Sequence, residues 1–453
     1  MKGNEKKVYL NIREIKFLLF MLSIASAFSL IIMKYDLEFK ITLLLPICYF
    51  ICLLAFIQNN IGDGIGGIAI IVMYAFRMCI LPILCAYGNF WLEPEKSIYI
   101  AYYNGAIFLT CFECFLVFCS FYFWNKHYKK VLVKREPIKN RKFVIKVAIL
   151  SLAFVIIILF IKNKELLSYF RFITAEEDSY AISDVVLKLQ SFGTSYYLLI
   201  LVDIIVRPLI SFWATSHFLE KKSKFSMAMV LVIGIVNIVF VSDRRILSLL
   251  IGGCCMVQLL PYMEKEIYRK VLYVFVVLMA LLTICYFFYG TNEPYLIARK
   301  FQRYFSGPTL TAIGIAVKEN FVQSPIDFFK RLFNDSILLT GLFYTIEIPD
   351  YVRQLCGPAG KSIWTPMMIG SVQYFSIFAP IVIIVIVNFI VKCDWTARNS
   401  ESNMHKLMAN YLSISVAIYM VMYTVDLIFY TIIFFGILYK MLIWLDKKII
   451  WDI

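Results

Sequence analysis

The chain has 453 residues, 61% of them hydrophobic and only 17% charged, with a mean hydropathy of +0.78. A soluble domain has no use for so much apolar side chain, and the apolar residues come in runs of roughly 18 or more, not in the short alternating segments of a strand barrel. The formal charge of +15 sits in short segments between those runs, where lysine and arginine set membrane orientation, so it argues for topology and against nucleic-acid binding.

The first apolar run, 17–33, follows Lys6, Lys7, Arg13 and Lys16 as a signal peptide would. It passes into Lys34-Tyr35-Asp36 without a small-residue cleavage site, so a first membrane helix is expected. Further spans are expected near 41–57, 64–86, 98–122, 143–161, 196–218, 225–241, 246–260, 271–289, 367–391, 407–424 and 427–445, about twelve in all. The basic amino terminus goes to the cytoplasm. After the fourth crossing comes 124–142, a basic cytoplasmic loop in which Lys126, Lys129, Lys130, Lys134, Arg135, Lys139, Arg141 and Lys142 face one acid, Glu136. Glu220-Lys221-Lys222-Ser223-Lys224, the segments around Lys265 to Lys270 and from Lys392 to Lys406, and Lys447-Lys448 fall inside on the same parity. The expected fold is all-α: a single polytopic membrane domain over 1–453, with about twelve transmembrane helices and both termini cytoplasmic.

Two outer segments are long. Residues 162–195 carry Glu176-Glu177-Asp178 beside Arg171 and Lys188. Residues 290–366 form one large extracytoplasmic loop late in the chain, and a loop of that length is expected to fold over the outer face and carry function. It mixes Arg299, Lys300, Arg303, Arg331, Arg353 and Lys361 with Glu293, Glu319, Asp327, Asp335, Glu347 and Asp350. Its interleaved aromatics, including Tyr295, Tyr304, Tyr344, Tyr351 and Trp364, can stack on sugar rings or anchor the segment at the membrane interface. No internal repeat is evident, which weighs against a carrier built from two related halves.

Within the spans the charges are few: Arg77, Glu113, Asp203 and Arg207. An intramembrane charge needs a partner or a wet cavity. Asp203 and Arg207, four apart, share a helix face and can pair, with Pro208 beside them marking a kink or a site. Arg77 and Glu113 can pair across neighbouring helices, or either can face a cavity. Of the twelve cysteines, Cys48, Cys52, Cys79, Cys111, Cys114, Cys119, Cys254, Cys255 and Cys285 fall in apolar runs and read as small core side chains. Cys111 and Cys114 have the spacing of half a zinc site, but no histidine and no second pair stands near them in the sequence, so no metal is expected. Cys356 stands in the long outer loop, and no disulfide framework follows.

The stretch Val241 to Leu250, VSDRRILSLL, sets Asp243, Arg244 and Arg245 in a turn between two apolar runs. An arginine at bilayer depth costs at least roughly 2.5–3.5 kcal/mol, so these are expected at the outer interface, in a basic pocket suited to an anionic lipid-linked substrate. His127, His217 and His405 all fall at cytoplasmic ends, which leaves an outer-face reaction no histidine base. Such a reaction needs a carboxylate, or a leaving group as good as a diphosphate, whose charge arginines hold bidentately. There is no P-loop, no H-E-x-x-H, no G-x-S-x-G and no Asp-x-Asp pair, so neither ATP-driven nor metal-dependent chemistry is supported, and no cofactor is expected.

These features resemble the oligosaccharide repeat-unit polymerases, the Wzy-like O-antigen and capsule polymerase family. VSDRRILSLLIGG is similar to that family's arginine-bearing turn ahead of a leucine-rich helix, where the usual form is closer to Ser-Gly-Ser-Arg. Arg303-Tyr304-Phe305-Ser306-Gly307-Pro308 resembles its aromatic–Gly–Pro patch, and Trp364-Thr365-Pro366 through Gln373-Tyr374-Phe375 to Phe378 the stretch where its large loop re-enters the membrane. Ser376, Ile377 and Phe378 stand where the family tends to carry Asp-Phe-Gly. The resemblance implies a metal-independent glycosyltransferase of the bacterial plasma membrane. It would pass a growing glycan from undecaprenyl diphosphate to a lipid-linked repeat unit at the outer face. A chain-length regulator and a flippase would be its partners. On that reading Arg244 and Arg245, with Arg299 and Arg303, hold the diphosphate. Arg353, Tyr304, Asp203 and Arg207 are further substrate-binding candidates, and the base is Glu347, Asp243 or Asp335. The rival reading is a repeat-unit flippase or other transporter, for which Arg77, Glu113, Asp203 and Arg207 would line a path.

Overall fold

The computed structural model describes residues 12–59, 64–88, 90, 96–130, 153–169, 171–172, 191–221, 223–241, 301–302, 305–320, 323–334, 367–400, 403–422, 425, 428–429, 431–434, 436–437 and 440–441. Their regular structure is helical apart from one pair of two-residue strands. Five stretches among them, Ile15–Ile32, Leu37–Ile57, Ile65–Tyr87, Ile100–Tyr128 and Met367–Asn399, are long and apolar enough to cross a membrane. Phe17, Phe28, Phe108, Phe115 and Phe123 face outward, while Ser26, Arg77, Thr110 and Glu113 are buried. An apolar exterior around an interior that also holds polar and charged side chains suits lipid as solvent, and the protein is a helical membrane protein. The predicted spans 246–260 and 271–289 lie outside the described residues.

The first four helical passes build the frame. Helix α1 (Ile12–Ile32) packs on α2 (Leu44–Asn59), which a short 3-10 stretch, Leu37–Leu43, precedes. Helices α3 (Ile65–Ala75) and α4 (Leu81–Tyr87) form one pass, joined by a wide π turn at Phe76–Ile80. Pro82 follows that turn and brings no backbone N–H to it; the hydroxyl of Ser26 donates to the Cys79 carbonyl there at 2.7 Å. Helix α5 (Lys96–Lys130) has 35 residues. Its interior has no proline, and at 1.5 Å per residue it runs about 52 Å, well beyond a hydrocarbon core of about 30 Å. The helix therefore carries on through Trp124 to Lys130, the first part of the segment expected as a loop.

Helix α6 (Ala153–Lys162) is short and apolar. Helices α7 (Thr194–Lys221) and α8 (Lys224–Val239) form a tight hairpin, with Ser223 capping α8 through its hydroxyl and the Ser226 N–H at 3.1 Å. At the far end of α8, Phe240–Val241 pairs antiparallel with Arg171–Phe172, Arg171 opposite Val241.

The late part of the chain returns to this frame. Helix α9 (Pro308–Asn320) lies along α5, and the amphipathic helix α10 (Pro325–Asn334) follows it. Helix α11 (Met367–Phe375) has nine residues and ends in a sharp turn at Ser376–Phe378, with Ser376 at φ 48°; it then packs against α12 (Ala379–Asn399). The stretch expected as one span at 367–391 is thus two helices. Helix α13 (Asn403–Met422) packs on α12 and α3 and closes the core.

Candidate functional site: a buried ion pair beneath two helix starts

Arg77 stands in the π turn, and Glu113 stands near the middle of α5. They are 1% and 0% exposed, and Arg77 Nη1 meets Glu113 Oε1 at 2.6 Å. The pairing across helices that the sequence allowed is therefore made. Glu113 accepts two further hydrogen bonds, from the Tyr74 hydroxyl at 2.7 Å and, on Oε2, from the Met368 N–H at 2.8 Å. The second donor is one of the free N–H groups in the first turn of α11, so the carboxylate also meets the positive end of that helix. A bare charge at this depth would cost several kcal/mol, and the fourfold arrangement of cation, phenol, amide and carboxylate removes that cost.

A second helix begins at the same place. Arg77 Nε donates to the Ser306 carbonyl at 3.1 Å. Ser306 has φ 51°, and the Gly307 N–H closes the turn on the Gln302 carbonyl at 3.0 Å, after which Pro308 starts α9. Gln302 lies so close over Gly307 that a Cβ there would come within 2.9 Å of its Cγ, which explains the glycine. Phe305 packs on Phe76 with ring centres 4.1 Å apart and the rings tilted by 32°, holding the turn beside Arg77. From this turn α9 climbs along α5 until Glu319 reaches the Tyr102 hydroxyl at 2.7 Å. Eleven residues of α5, about 16 Å, separate Tyr102 from Glu113, so α9 begins deep in the bundle and emerges near its end.

Around this turn, Arg77 Nη2, both amide atoms of Gln302, Ser306 Oγ and Thr309 Oγ1 are buried and have no hydrogen-bond partner among the described residues. Buried polar atoms are paired in the great majority of cases, so a run of them within one turn marks a place made to meet a polar group. Arg77 Nη2 and the Gln302 amide supply donors, and the two hydroxyls supply either role. The sequence marked Arg77 and Glu113 as exceptional, but nothing in it tied them to Gln302, Ser306 or Met368, more than 180 residues away in the chain.

The other sequence-derived site residues fare differently. Asp203 and Arg207 pair on α7 as their spacing predicts, Arg207 Nε to Asp203 Oδ1 at 3.0 Å, and Pro208 lies inside the same helix. Asp243, Arg244, Arg245, Arg299, Arg303, Tyr304, Asp335, Glu347 and Arg353 lie outside the described residues. One more buried charge escaped the sequence reading because α12 runs on to Asn399. Asp394, 4% exposed, accepts the N–H groups of Gly66 and Gly67 at 3.0 Å each and the Ser413 hydroxyl at 2.6 Å. A Cβ on Gly64 or Gly66 would overlap Asp394 or Ser413, so the glycine-rich start of α3 is the signal that could have found it.

Family models, curated proteins and solved structures were all compared with the chain, and none matches.

Proposed function

We propose that the protein is a polysaccharide repeat-unit polymerase of the bacterial plasma membrane. It transfers a glycan from an undecaprenyl diphosphate carrier to a lipid-linked repeat unit at the outer face. The observation that carries this reading is the pairing of Arg171–Phe172 with Phe240–Val241. It sets the backbone of one long predicted outer segment directly beside the strand that leads into Asp243-Arg244-Arg245. Arg171 belongs to the first of these paired stretches and the arginine turn follows the second in sequence, and arginines suit a diphosphate. The pairing also needs both segments on one side of the membrane, as the predicted parity has them.

On this reading Arg244 and Arg245, with Arg299 and Arg303, hold the diphosphate and offset its charge as the glycosyl bond breaks. Arg353 and Tyr304 contact the carrier or its sugars. Glu347, Asp243 or Asp335 takes the proton of the attacking hydroxyl. No metal enters. The large late segment, which contains α9 and is followed by α11, covers the growing chain.

One observation favours a second reading, a repeat-unit flippase or other transporter. Helices α9 and α11 both begin deep in the bundle beside a buried charge pair, and discontinuous helices of this kind line substrate sites in carriers. A gel of surface polysaccharide from cells carrying Arg244→Ala with Arg245→Ala, at matched expression, separates the two. The polymerase reading expects single repeat units on carrier at the outer leaflet. Accumulation at the inner leaflet supports the flippase, and unchanged long chains overturn the role of the arginine turn.

A further inference from the structure

Helices α2 and α5 bring together four thiols that lie some sixty residues apart in the sequence. Cys48 and Cys52 are one turn apart on α2, and Cys111 and Cys114 are one turn apart on the facing side of α5. The sulfurs of Cys48, Cys52 and Cys114 all lie within 4.8 Å of one another. The Cys111 thiol touches that of Cys48, and the two helices interlock further through Cys48 Sγ on the Cys111 carbonyl at 3.5 Å and Cys111 Sγ on the Leu44 carbonyl at 3.8 Å. The second pair that the sequence lacked near Cys111 and Cys114 is thus supplied by another helix.

We infer that this cluster is a binding site for one soft, thiophilic cation, Cu(I) or Zn(II), held between α2 and α5. The geometry is close to that required. A metal–sulfur bond of about 2.3 Å puts tetrahedral ligands about 3.8 Å apart, so the sulfurs need draw in by only about 1 Å at most. The donor set selects the cation. No imidazole belongs to the cluster, and the nearest carboxylate in sequence, Glu113, is taken by Arg77, Tyr74 and the Met368 N–H. Oxygen-seeking cations such as Mg(II) or Ca(II) therefore find nothing to bind, whereas thiolates favour Cu(I) and Zn(II). Cys52 and Cys114 are buried, at 6% and 0% exposure, in a wall that includes Tyr49 and Phe118. In such a medium thiolate charge is tolerated only against a cation, so each thiol that ligates releases its proton to water as the metal arrives. The site is independent of the glycan reading and would bridge the two helices as a staple.

The test uses full-length protein, purified anaerobically in detergent, stripped of metal and titrated with Co(II) as a zinc probe and with Cu(I) against a chromogenic chelator. One equivalent bound, with a thiolate-to-cobalt charge-transfer band, is expected for the wild type and for Cys119→Ser, an exposed thiol on the same helix. Cys52→Ser with Cys114→Ser should lose both band and binding while keeping its size-exclusion profile. Competition between the two metals then identifies the resident cation. Should that double variant fail to fold, alkylation of the wild type decides: metal must slow modification of the part-exposed Cys48 and leave Cys119 as reactive as in metal-free protein. No bound equivalent in the wild type, binding retained by the folded double variant, or a disulfide within the four in anaerobic protein would each overturn the inference.

Discussion

Two buried carboxylates do different work in this molecule. Asp394 takes its hydrogen bonds from neutral donors, two backbone N–H groups at the start of α3 and one serine, and Gly64 and Gly66 pack so close to it that neither leaves room for a Cβ. Glu113 is held by a charged partner, and that partner stands beside polar atoms that nothing described satisfies. The first arrangement ties α3, α12 and α13 together and is complete. The second joins the starts of two late helices and leaves hydrogen-bonding capacity over among the described residues. A buried charge by itself therefore says little about function; the unused valence around it says more.

The comparison can be broken most forcefully at Glu113. Glu113→Leu leaves Arg77 buried without its counter-charge and should cost about 3–5 kcal/mol, read as a large fall in melting temperature of the detergent-solubilised protein. Adding Arg77→Met should restore most of the loss, and a double variant no better than the single would refute the pairing. Asp394→Asn should cost about 1–3 kcal/mol, because an amide NH2 then faces a backbone N–H, and no second substitution elsewhere should rescue it. Arg77→Lys keeps the charge on Glu113 but cannot fork to the Ser306 carbonyl, so a loss of about 1 kcal/mol is expected in thermal melting.

A third carboxylate, partly open to solvent, supplies a counterpart outside the core. Asp327 and Ser324 form a reciprocal capping box at the start of α10, with the Ser324 N–H and hydroxyl both donating to Asp327 at 2.9 and 2.7 Å. The Ser324 donors hold its carboxyl below the usual aspartate range. Its contribution is therefore present above the unfolded-state pKa and is lost as pH falls through the lower folded value. Ser324→Ala should loosen α10 by roughly 1 kcal/mol or less, seen as faster amide exchange in that helix alone. The smallest effect is expected at Thr309, whose hydroxyl has no partner among the described residues: Thr309→Val should change stability by less than about 0.5 kcal/mol. If glycan length nevertheless shifts, the turn touches substrate. If the melting temperature falls by several degrees, the hydroxyl is bonded and the contrast with Asp394 fails.

The sequence was most informative where chemistry is local. Apolar runs located the early passes, four-residue spacing paired Asp203 with Arg207, and isolation in apolar surroundings marked Arg77 and Glu113. It was least informative where helices are short or partners remote. Helix α11 has nine residues and α9 thirteen, with Lys318 and Glu319 at its end, so hydropathy absorbs the first into a span and leaves the second in a loop. Asp394 follows an apolar run and precedes Arg398, so it read as part of a cytoplasmic segment although α12 carries it into the core. The four thiols were individually visible, but periodicity assigns each a helix face without saying which faces meet.

The start of α11 on Glu113 has a consequence for assembly in time. Arg77 and Glu113 leave the ribosome early, and their mutual contact can form as soon as α5 is inserted. The carbonyl of Ser306 and the N–H of Met368, which complete the set, are made some two hundred residues later. Through that interval the early helices hold a half-satisfied polar centre in lipid, and each late helix docks onto a waiting partner. A chain stopped short of Ser306 would keep the pair and the Tyr74 hydroxyl but lack the two backbone partners, leaving polar groups unsatisfied in lipid.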